Sequence, residues 1–311
     1  MKIPIKTLKN GFSLPIYGMG LWQVGGRYES DTSKDNEEIE NIHRAIGLGI
    51  THFDTAESYA AGHSEEILGQ AIQGLDRSKL LIATKVSPEH HKYDDLLRAA
   101  QGSLNRLNTS YIDLYMLHRY PPKGTMIEET MRAMNELMEQ GVIKNIGVSN
   151  LTENRFKEAQ KHTAYPIVCN QVHYNVEYRE VEERGVLKFC QENDTLLVAY
   201  RPLQKGELPK SALLAEIAKK YDKTPTQVAL NWLISQGNVV TIVKTSNIDH
   251  LKENLGAIGW ELEFSDVERI RKKYEVQYRI SDVVPLDYGA DIAPWKIQRH
   301  LTDQVSLLLR S

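Results

Sequence analysis

The stretch LLIATKVSPEHHKYDDLLRAAQGSLNRL, residues 80–107, contains the repeating unit on which the fold prediction depends. It begins with Leu80–Val86, a short apolar run with the length of a buried strand. After a polar connection, Tyr93–Leu107 has apolar residues at helical spacing and predicts an amphipathic helix. A strand followed by a helix is the unit from which parallel sheets are built.

The same alternation recurs along the chain on both sides of this unit. Eight units in 311 residues predict a closed (β/α)8 TIM barrel. The alternative is an open doubly wound sheet, but its usual Gly-x-Gly-x-x-Gly after an early strand is absent. The other predicted strands are Leu14–Gly18, His52–Thr55, Tyr111–His118, Ile143–Ser149, Val168–His173, Leu196–Tyr200 and Val239–Lys244. The other predicted helices are Asn36–Leu48, Ser64–Gln73, Glu128–Glu139, Thr152–Lys161, Glu182–Gln191, Ser211–Tyr221 and Asp249–Leu255.

Residues at the ends of the helical segments support these boundaries. Ser64 and Thr152 each precede acidic residues and are predicted to cap helix N-termini. Gly49, Gly74 and Gly141 stand where helices would end before the next strand.

No linker rich in Pro, Gly or Ser divides the chain, so we expect one domain over residues 1–311. Residues 261–311 are expected to form a C-terminal helix and tail that pack on the barrel. Helix candidates there are Ser265–Tyr274 and Leu301–Leu309. The polar segment Gly25–Asp35 is predicted to be a long loop, which either folds over the site as a lid or makes a subunit contact.

Composition excludes several classes of function. Formal net charge is -3 and basic residues are not clustered, so no nucleic-acid surface is expected. No window is long and apolar enough for a membrane span, and the first ten residues do not resemble a signal peptide. Cys169 and Cys190 lack zinc-site spacing, and the adjacent pair His90-His91 is a poor metal site, so no metal is expected. We expect a cytoplasmic protein with free thiols.

Four chemically active residues stand where the predicted strands end, the position of catalytic groups in barrel enzymes. Asp54, Lys85 and His118 end three successive predicted strands, and Tyr59 follows the first of them. A nearby ammonium lowers the pKa of a phenol, and a carboxylate holds the ammonium in place. We therefore expect a relay for acid–base chemistry on a carbonyl, with His118 orienting the carbonyl oxygen. The hydride must come from a cofactor.

The motifs at these positions resemble those of the aldo-keto reductase family. The resemblance covers nearly the whole predicted barrel, from Gly18 to Asn254. It is carried by GMGLW at Gly18–Trp22, HFDTAESY at His52–Tyr59, ATK at Ala83–Lys85, DLYMLH at Asp113–His118, IGVSN at Ile146–Asn150, NQVHYN at Asn170–Asn175 and AY at Ala199–Tyr200.

The resemblance implies an NAD(P)H-dependent reductase in which Asp54, Tyr59, Lys85 and His118 form the catalytic tetrad. It implies that NADPH or NADP+ lies extended over the barrel mouth, with NADH as a weaker alternative. Trp22, with Tyr59 and His118, would line the substrate pocket. The implied cofactor-binding residues are Gly20, Leu21, Ser149, Asn150, Gln171, Tyr200, Arg201, Leu203, Lys244, Thr245, His250, Glu253 and Asn254. Of these, Ser149, Asn150 and Gln171 would hold the carboxamide, Tyr200 would stack on the nicotinamide, and Lys244 would meet a 2′-phosphate.

Three positions depart from the family pattern. Arg201 replaces a serine, Val243 replaces a proline, and His250 replaces an arginine that supports the phosphate. A histidine is mostly neutral at neutral pH, so we expect a preference for NADPH that is less strict than is usual in the family.

Two other functions remain open from the sequence. Lys85 could form a Schiff base in an aldolase-like lyase, or the chain could be a cofactor-sensing subunit without turnover. For a reductase, the short segments Arg119–Thr125 and Arg201–Pro209 predict an open mouth that accepts small aldehydes, ketones or keto-sugars, with alcohol oxidation as the reverse reaction. We expect a monomer that binds no partner other than a small-molecule substrate.

Overall fold

Eight parallel strands close on themselves in the computed structural model, which describes residues 2–274 and residue 286. An antiparallel hairpin of β1 (Ile5–Thr7) and β2 (Ser13–Pro15) precedes them. The barrel strands are β3 (Tyr17–Gly20), β4 (His52–Asp54), β5 (Leu81–Val86), β6 (Leu114–Leu117), β7 (Ile146–Ser149), β8 (Ile167–His173), β9 (Leu196–Tyr200) and β10 (Val239–Val243). Each pairs with the next and β10 pairs with β3, which confirms the predicted (β/α)8 barrel.

Helices alternate with the barrel strands. Among the described residues they are α1 (Asp35–Gly47), α2 (His63–Ala71), α3 (Tyr93–Leu107), α4 (Ile127–Glu139), α5 (Glu153–Gln160), α6 (Glu180–Glu183), α7 (Val186–Glu192), α8 (Ala212–Lys220), α9 (Pro225–Ile234), α10 (Ile248–Leu255) and α11 (Phe264–Lys273). None of the helices in this part of the chain is both long and apolar enough to cross a membrane.

Side chains that alternate along each strand divide into two buried layers, as the pleat requires. On β6, Leu114 and Met116 belong to a small apolar cluster with residues of β5, β8, β9 and β10. Tyr115 and Leu117 belong instead to the larger cluster that includes the helices. The small cluster fills the barrel interior, so the barrel is a packed core and its chemistry is confined to the mouth.

The N-terminal hairpin was not predicted. The expected strand Leu14–Gly18 is split at Ile16, because Ser13–Pro15 pairs with β1 and the barrel strand begins only at Tyr17. Pro15 has no backbone N–H, so it cannot donate a hydrogen bond to a neighbouring strand. The dipeptide Asn10-Gly11, a common hairpin turn, was the available signal, and Gly11 has a φ of 89°.

Helix α9 was also missed, since the prediction placed only one helix between β9 and β10. Eight of its ten residues are buried, so it lacks the polar stripe that marks an amphipathic helix. The sequence nevertheless indicates where α9 begins, because Thr224 and Gln227 form a capping box and Pro225 stands in the first turn.

Within the expected C-terminal helix and tail, the described residues form α11, which lies against α8 and α6. Lys220 of α8 pairs with Asp266 at 2.8 Å, and Arg271 pairs with Glu182 at 2.8 Å. Of the expected tail, the candidate helix Leu301–Leu309 lies outside the described residues.

Helices α2 and α3 approach each other closely at Gly69. A Cβ atom at Gly69 would lie 2.4 Å from the backbone oxygen of Arg106, whereas one at Gly47, at the end of α1, would meet nothing within 4 Å. The packing of these two helices therefore requires a glycine at position 69.

We expect Gly69→Ala to lower the free energy of unfolding by about 1–3 kcal/mol, because the backbone of α3 has to move. The matched control Gly47→Ala should raise it by about 0.5 kcal/mol, since alanine favours the helix and has room there. Urea denaturation followed by circular dichroism measures both. Equal effects of the two substitutions would contradict the close approach.

Candidate active site

The register of three neighbouring strands brings the predicted catalytic residues to one end of the barrel. Asp54 ends β4, Lys85 lies one residue before the end of β5, and His118 directly follows β6. The backbone N–H of His118 donates to the oxygen of Val86 at 3.1 Å, which continues the β5–β6 ladder into the mouth. All three side chains therefore lie where the strand carboxyl ends meet.

Lys85 and Asp54 form a buried ion pair. The Lys85 ammonium donates to Asp54 Oδ1 at 2.6 Å and to the carbonyl oxygen of Thr55 at 2.6 Å, and both side chains are almost fully buried. Burial alone lowers the pKa of Lys85, but Asp54 and Tyr59 outweigh it, and the pKa is raised above its usual value. A charged amine is a poor nucleophile, so the site does not favour the Schiff-base alternative.

Tyr59 is held at the mouth by a tight turn after β4. Its N–H donates to the oxygen of Ala56 at 3.0 Å, and Ala60 and Ala61 then adopt positive φ angles of 51° and 54°. The Tyr59 ring contacts two aromatic side chains edge-on, with centroids 4.9 Å from Trp22 and 5.8 Å from His118.

The Lys85 side chain lies next to Tyr59. Its nitrogen lies 5.1 Å from the centroid of the Tyr59 ring, so the ammonium is close to the phenol. The four predicted catalytic residues and Trp22 therefore share one cluster.

The expected direction of the Tyr59 pKa was wrong. Burial raises the pKa of Tyr59 above its usual value of 10.0, and the nearby Lys85 ammonium lowers it only in part. The reason is that a phenolate in a largely buried position loses more hydration than one neighbouring cation replaces, and Asp54 adds a further negative charge. Tyr59 therefore keeps its proton at neutral pH, as a proton donor must.

His118 is neutral in this site. Burial, with contributions from Lys85 and Arg119, lowers its pKa to about 3. A neutral imidazole has one N–H donor and one acceptor nitrogen, so His118 can donate a hydrogen bond to an oxygen beside Tyr59 without carrying a charge.

Four residues predicted to hold the cofactor form a hydrogen-bonded chain. The Tyr200 hydroxyl donates to Asn150 Oδ1 at 2.9 Å, and Asn150 Nδ2 donates to Ser149 Oγ at 2.9 Å. Ser149 Oγ in turn donates to the backbone oxygen of Gln171 at 2.8 Å. Three strand ends, those of β7, β8 and β9, are thus fixed to each other at the mouth.

Gln171 also reaches the catalytic cluster, a contact that sequence reasoning missed. Its Nε2 donates to Asp54 Oδ2 at 2.7 Å, so both carboxylate oxygens of Asp54 have a buried donor. No local pattern in the sequence signals this contact, because Gln171 and Asp54 are 117 positions apart and lie on non-adjacent strands.

Two more residues at the mouth were not singled out from the sequence. The His173 ring stacks on Tyr200, with centroids 5.5 Å apart, and Asn175 Nδ2 donates to the oxygen of Arg201 at 2.8 Å. They support the segment after β9, where Arg201 has a φ of 55° and Leu203 packs against the core. The motif NQVHYN could have indicated both residues, since it places polar side chains at a strand end.

Gly20 and Leu21 lie at the junction of β3 with β10. A Cβ atom at Gly20 would come within 3.9 Å of the backbone nitrogen of Lys244. The N–H of Leu21 donates to the oxygen of Asp54 at 2.8 Å, and the Leu21 oxygen accepts from Ser64 Oγ at 3.2 Å. Ser64 is therefore no helix cap as predicted: its hydroxyl is buried, and Gly62 precedes the helix in its place.

The remaining predicted cofactor residues follow β10, at some distance from the cluster. Thr245 Oγ1 donates to the oxygen of Asn247 at 3.2 Å, and His250 is exposed in the first turn of α10. Glu253 is half-buried, and the buried Asn254 amide donates to the Tyr17 hydroxyl at 3.2 Å.

The arrangement defines a class of protein. A protonated phenol, a neutral imidazole and a buried ion pair at a barrel mouth can polarise and protonate a carbonyl oxygen. This chemistry belongs to oxidoreductases that act on carbonyl groups.

Comparison with known proteins gives the family. Residues 17–275 match the model of the aldo/keto reductase family. The chain is 36% identical over 269 residues to methylglyoxal reductase YeaE of Escherichia coli, covering 84% of this chain and 92% of that protein. This chain belongs to the aldo/keto reductase family and is an NAD(P)H-dependent oxidoreductase.

Solved structures of aldo-keto reductases have the same fold as this chain. The thermostable aldo-keto reductase Tm1743, crystallised with the inhibitor epalrestat, superposes with a TM-score of 0.84 at 42% identity, covering 87% of this chain and 99% of that chain. An aldo-keto reductase from Klebsiella pneumoniae in complex with NADPH gives 0.81 at 29% identity, covering 93% and 100%.

Replacing Gln171 by Leu should lower the free energy of unfolding by roughly 1–3 kcal/mol, because Asp54 Oδ2 would lose its buried donor. Gln191→Leu is the matched control: the exposed Gln191 amide donates to the oxygen of Gly237 at 2.9 Å, so its loss should cost little. Urea denaturation without cofactor compares the two, and a Gln171→Leu protein as stable as the control would contradict the role of this contact.

Proposed function

We propose that this chain is an NADPH-dependent reductase of small aldehydes and ketones, with Tyr59 as the general acid. The observation that carries the proposal is the cluster of Asp54, Lys85, Tyr59 and His118 at the barrel mouth, where the phenol is protonated and the imidazole neutral. Similar proteins include a methylglyoxal reductase and a reductase crystallised with NADPH.

The residues around the cluster fit a nicotinamide cofactor. No protein side chain supplies a hydride, and NADPH supplies one when bound. Asn150 and Gln171 bring amide groups to the mouth beside the Tyr200 ring, which suits a carboxamide on a flat heterocycle. Lys244 adds a cation at the next strand end, which suits a phosphate group.

The proton step follows from the geometry. Tyr59 donates its phenolic proton to the carbonyl oxygen as that oxygen gains negative charge. The resulting phenolate lies beside the Lys85 ammonium, which Asp54 and the Thr55 oxygen hold in place at 2.6 Å each. His118 donates a hydrogen bond to the same oxygen and orients the carbonyl. In alcohol oxidation the same groups accept the proton in reverse.

The mouth favours small substrates. Trp22 and Tyr28 form an edge-on aromatic pair with centroids 6.0 Å apart, and Trp22 continues to Tyr59. These aromatic rings offer an apolar surface beside the Tyr59 hydroxyl. Small aldehydes, including the 2-oxoaldehyde in the name of the Escherichia coli relative, fit such a site. The buried free thiols Cys169 and Cys190 are in keeping with a reducing compartment such as the cytoplasm.

Tyr59→Phe should lower kcat for reduction of methylglyoxal by about 10²–10⁴-fold, the usual contribution of general acid catalysis. The loss of NADPH absorbance measures turnover, and NADPH fluorescence shows that the cofactor still binds. Tyr111→Phe is the matched control, because Tyr111 precedes β6 at the opposite end of the strand from His118. Turnover that survives in Tyr59→Phe would remove the phenol from the mechanism.

The pKa values of Tyr59 and His118 predict the pH dependence of reduction. The pKa of His118 is lowered to about 3, so the imidazole stays neutral throughout the working range. The pKa of Tyr59 is raised above 10.0, so the phenol stays protonated until alkaline pH. We therefore expect kcat/KM for reduction to be level between about pH 6 and 9. A transition near pH 6.5 that disappears in His118→Asn would contradict a neutral His118.

A further inference from the structure

A pocket of about 310 Å³ lies beside the barrel mouth, apart from the catalytic cluster. It is bounded on one side by the loop Gly25–Asp35 and the start of α1, and on the other by Lys244 and Ser246 after β10. The loop begins three residues after Trp22, and β3, which leads into it, pairs with β10 through Met19 and Val243. The pocket therefore adjoins the edge of the mouth at the β3–β10 junction.

Three cations line this pocket: Arg27, Lys34 and Lys244. Within residues 2–274, no carboxylate oxygen lies within 4.0 Å of their side-chain nitrogen atoms, whereas the Lys85 ammonium at the mouth is paired with Asp54. The guanidinium of Arg27 rests only on the Tyr28 ring, 5.0 Å from its centroid. Three unpaired cations around one concave surface favour an anionic ligand.

The pocket is also lined by the carboxylates of Asp31, Glu37 and Glu38, two of which accept hydrogen bonds from the loop. Glu38 accepts from the Gly25 N–H at 2.6 Å, and Asp31 accepts from the Ser33 N–H at 3.0 Å. The Asp31 N–H donates to the oxygen of Gly25 at 2.7 Å. Burial raises the pKa of Glu38, while the Gly25 N–H and the nearby Lys244 oppose the shift. These hydrogen bonds hold the two ends of the loop together, and none of them uses the side chains of Arg27 or Lys34.

A further contact anchors the loop to the barrel. His63, at the start of α2, lies between Asp35 and Glu66, with its ring nitrogens 2.9 and 2.7 Å from their carboxylates. Burial lowers the pKa of His63, but the two carboxylates outweigh it and the pKa is raised. The His63 ring thus joins α2 to Asp35 at the start of α1. Gly25 packs against this ring, since a Cβ there would lie 2.7 Å from His63 Cδ2.

We propose that the loop Gly25–Asp35 is a phosphate clamp, in which Arg27 and Lys34 join Lys244 to bind the 2′-phosphate of NADPH. The inference rests on the proposed function. A phosphomonoester carries close to two negative charges and three acceptor oxygens at neutral pH, so one lysine does not satisfy it. Arg27 supplies the planar guanidinium that pairs with two phosphate oxygens at once. The sequence left open whether this loop is a lid or a subunit contact. The proposal gives it a different role, in the choice between NADPH and NADH.

The test is the affinity for two cofactors that differ only in the 2′-phosphate. Titration of the Arg27→Gln, Lys34→Gln double variant with NADPH and with NADH, followed by cofactor fluorescence, gives Kd for each. We expect Kd for NADPH to rise at least about tenfold, as for the loss of one charged hydrogen bond. Kd for NADH should change less than about twofold, because that cofactor has no group for the clamp.

The matched control is the Arg132→Gln, Lys79→Gln double variant. Arg132 also stacks on a tyrosine, 4.4 Å from the Tyr93 ring centroid, and Lys79 is an exposed lysine, but both lie away from the pocket. The control removes the same net charge and should leave both Kd values unchanged, so a general effect of charge is separated from a local one.

Each other outcome overturns the assignment. An equal rise for both cofactors would place the loop at the diphosphate shared by NADPH and NADH, and no rise would remove it from cofactor binding. Wild-type protein that neither binds nor oxidises NADPH would instead sink the proposed function itself. If wild type does both and the double variant binds NADPH equally well, only the clamp fails.

Discussion

The Lys85 ammonium and the Asp54 carboxylate lie 2.6 Å apart in a part of the barrel mouth without solvent contact. Such a pair is costly to bury, and removing one partner typically costs about 3–5 kcal/mol because the other charge remains unpaired. The fold supplies the further donors and acceptors that the pair needs, from the Thr55 oxygen and the Gln171 amide. Three strands must therefore keep their register for this site to exist.

Burial, although less complete, also shifts the pKa values of the neighbouring groups. Burial raises the pKa of Tyr59 and lowers that of His118, so both side chains are uncharged at neutral pH. The two uncharged donors can approach a neutral carbonyl without repulsion, and the Lys85–Asp54 ion pair lies beside them. In the proposed mechanism, charge that develops during proton transfer would appear beside a cation that is already in place.

The sequence was sufficient for the barrel and for the identity of the clustered residues, but not for their energetics. Strand ends could be predicted because the strands are short, largely apolar runs that polar segments follow, and Asp54, Lys85 and His118 stand at or beside the ends of β4, β5 and β6. The N-terminal hairpin and α9 were missed because neither has a long amphipathic pattern. The pKa direction of Tyr59 and the contact between Gln171 and Asp54 depend on burial and on strands distant in sequence, which composition and spacing do not encode.

The most direct test of this account is an NMR titration of Tyr59 labelled with ¹³C at Cζ, in the wild type and in Lys85→Met. The account predicts that the Tyr59 pKa lies above 10.0 in the wild type, because burial outweighs the cation, and rises further in Lys85→Met, because the only nearby positive charge is lost. A wild-type pKa below 10.0, or one that Lys85→Met leaves unchanged, would contradict it.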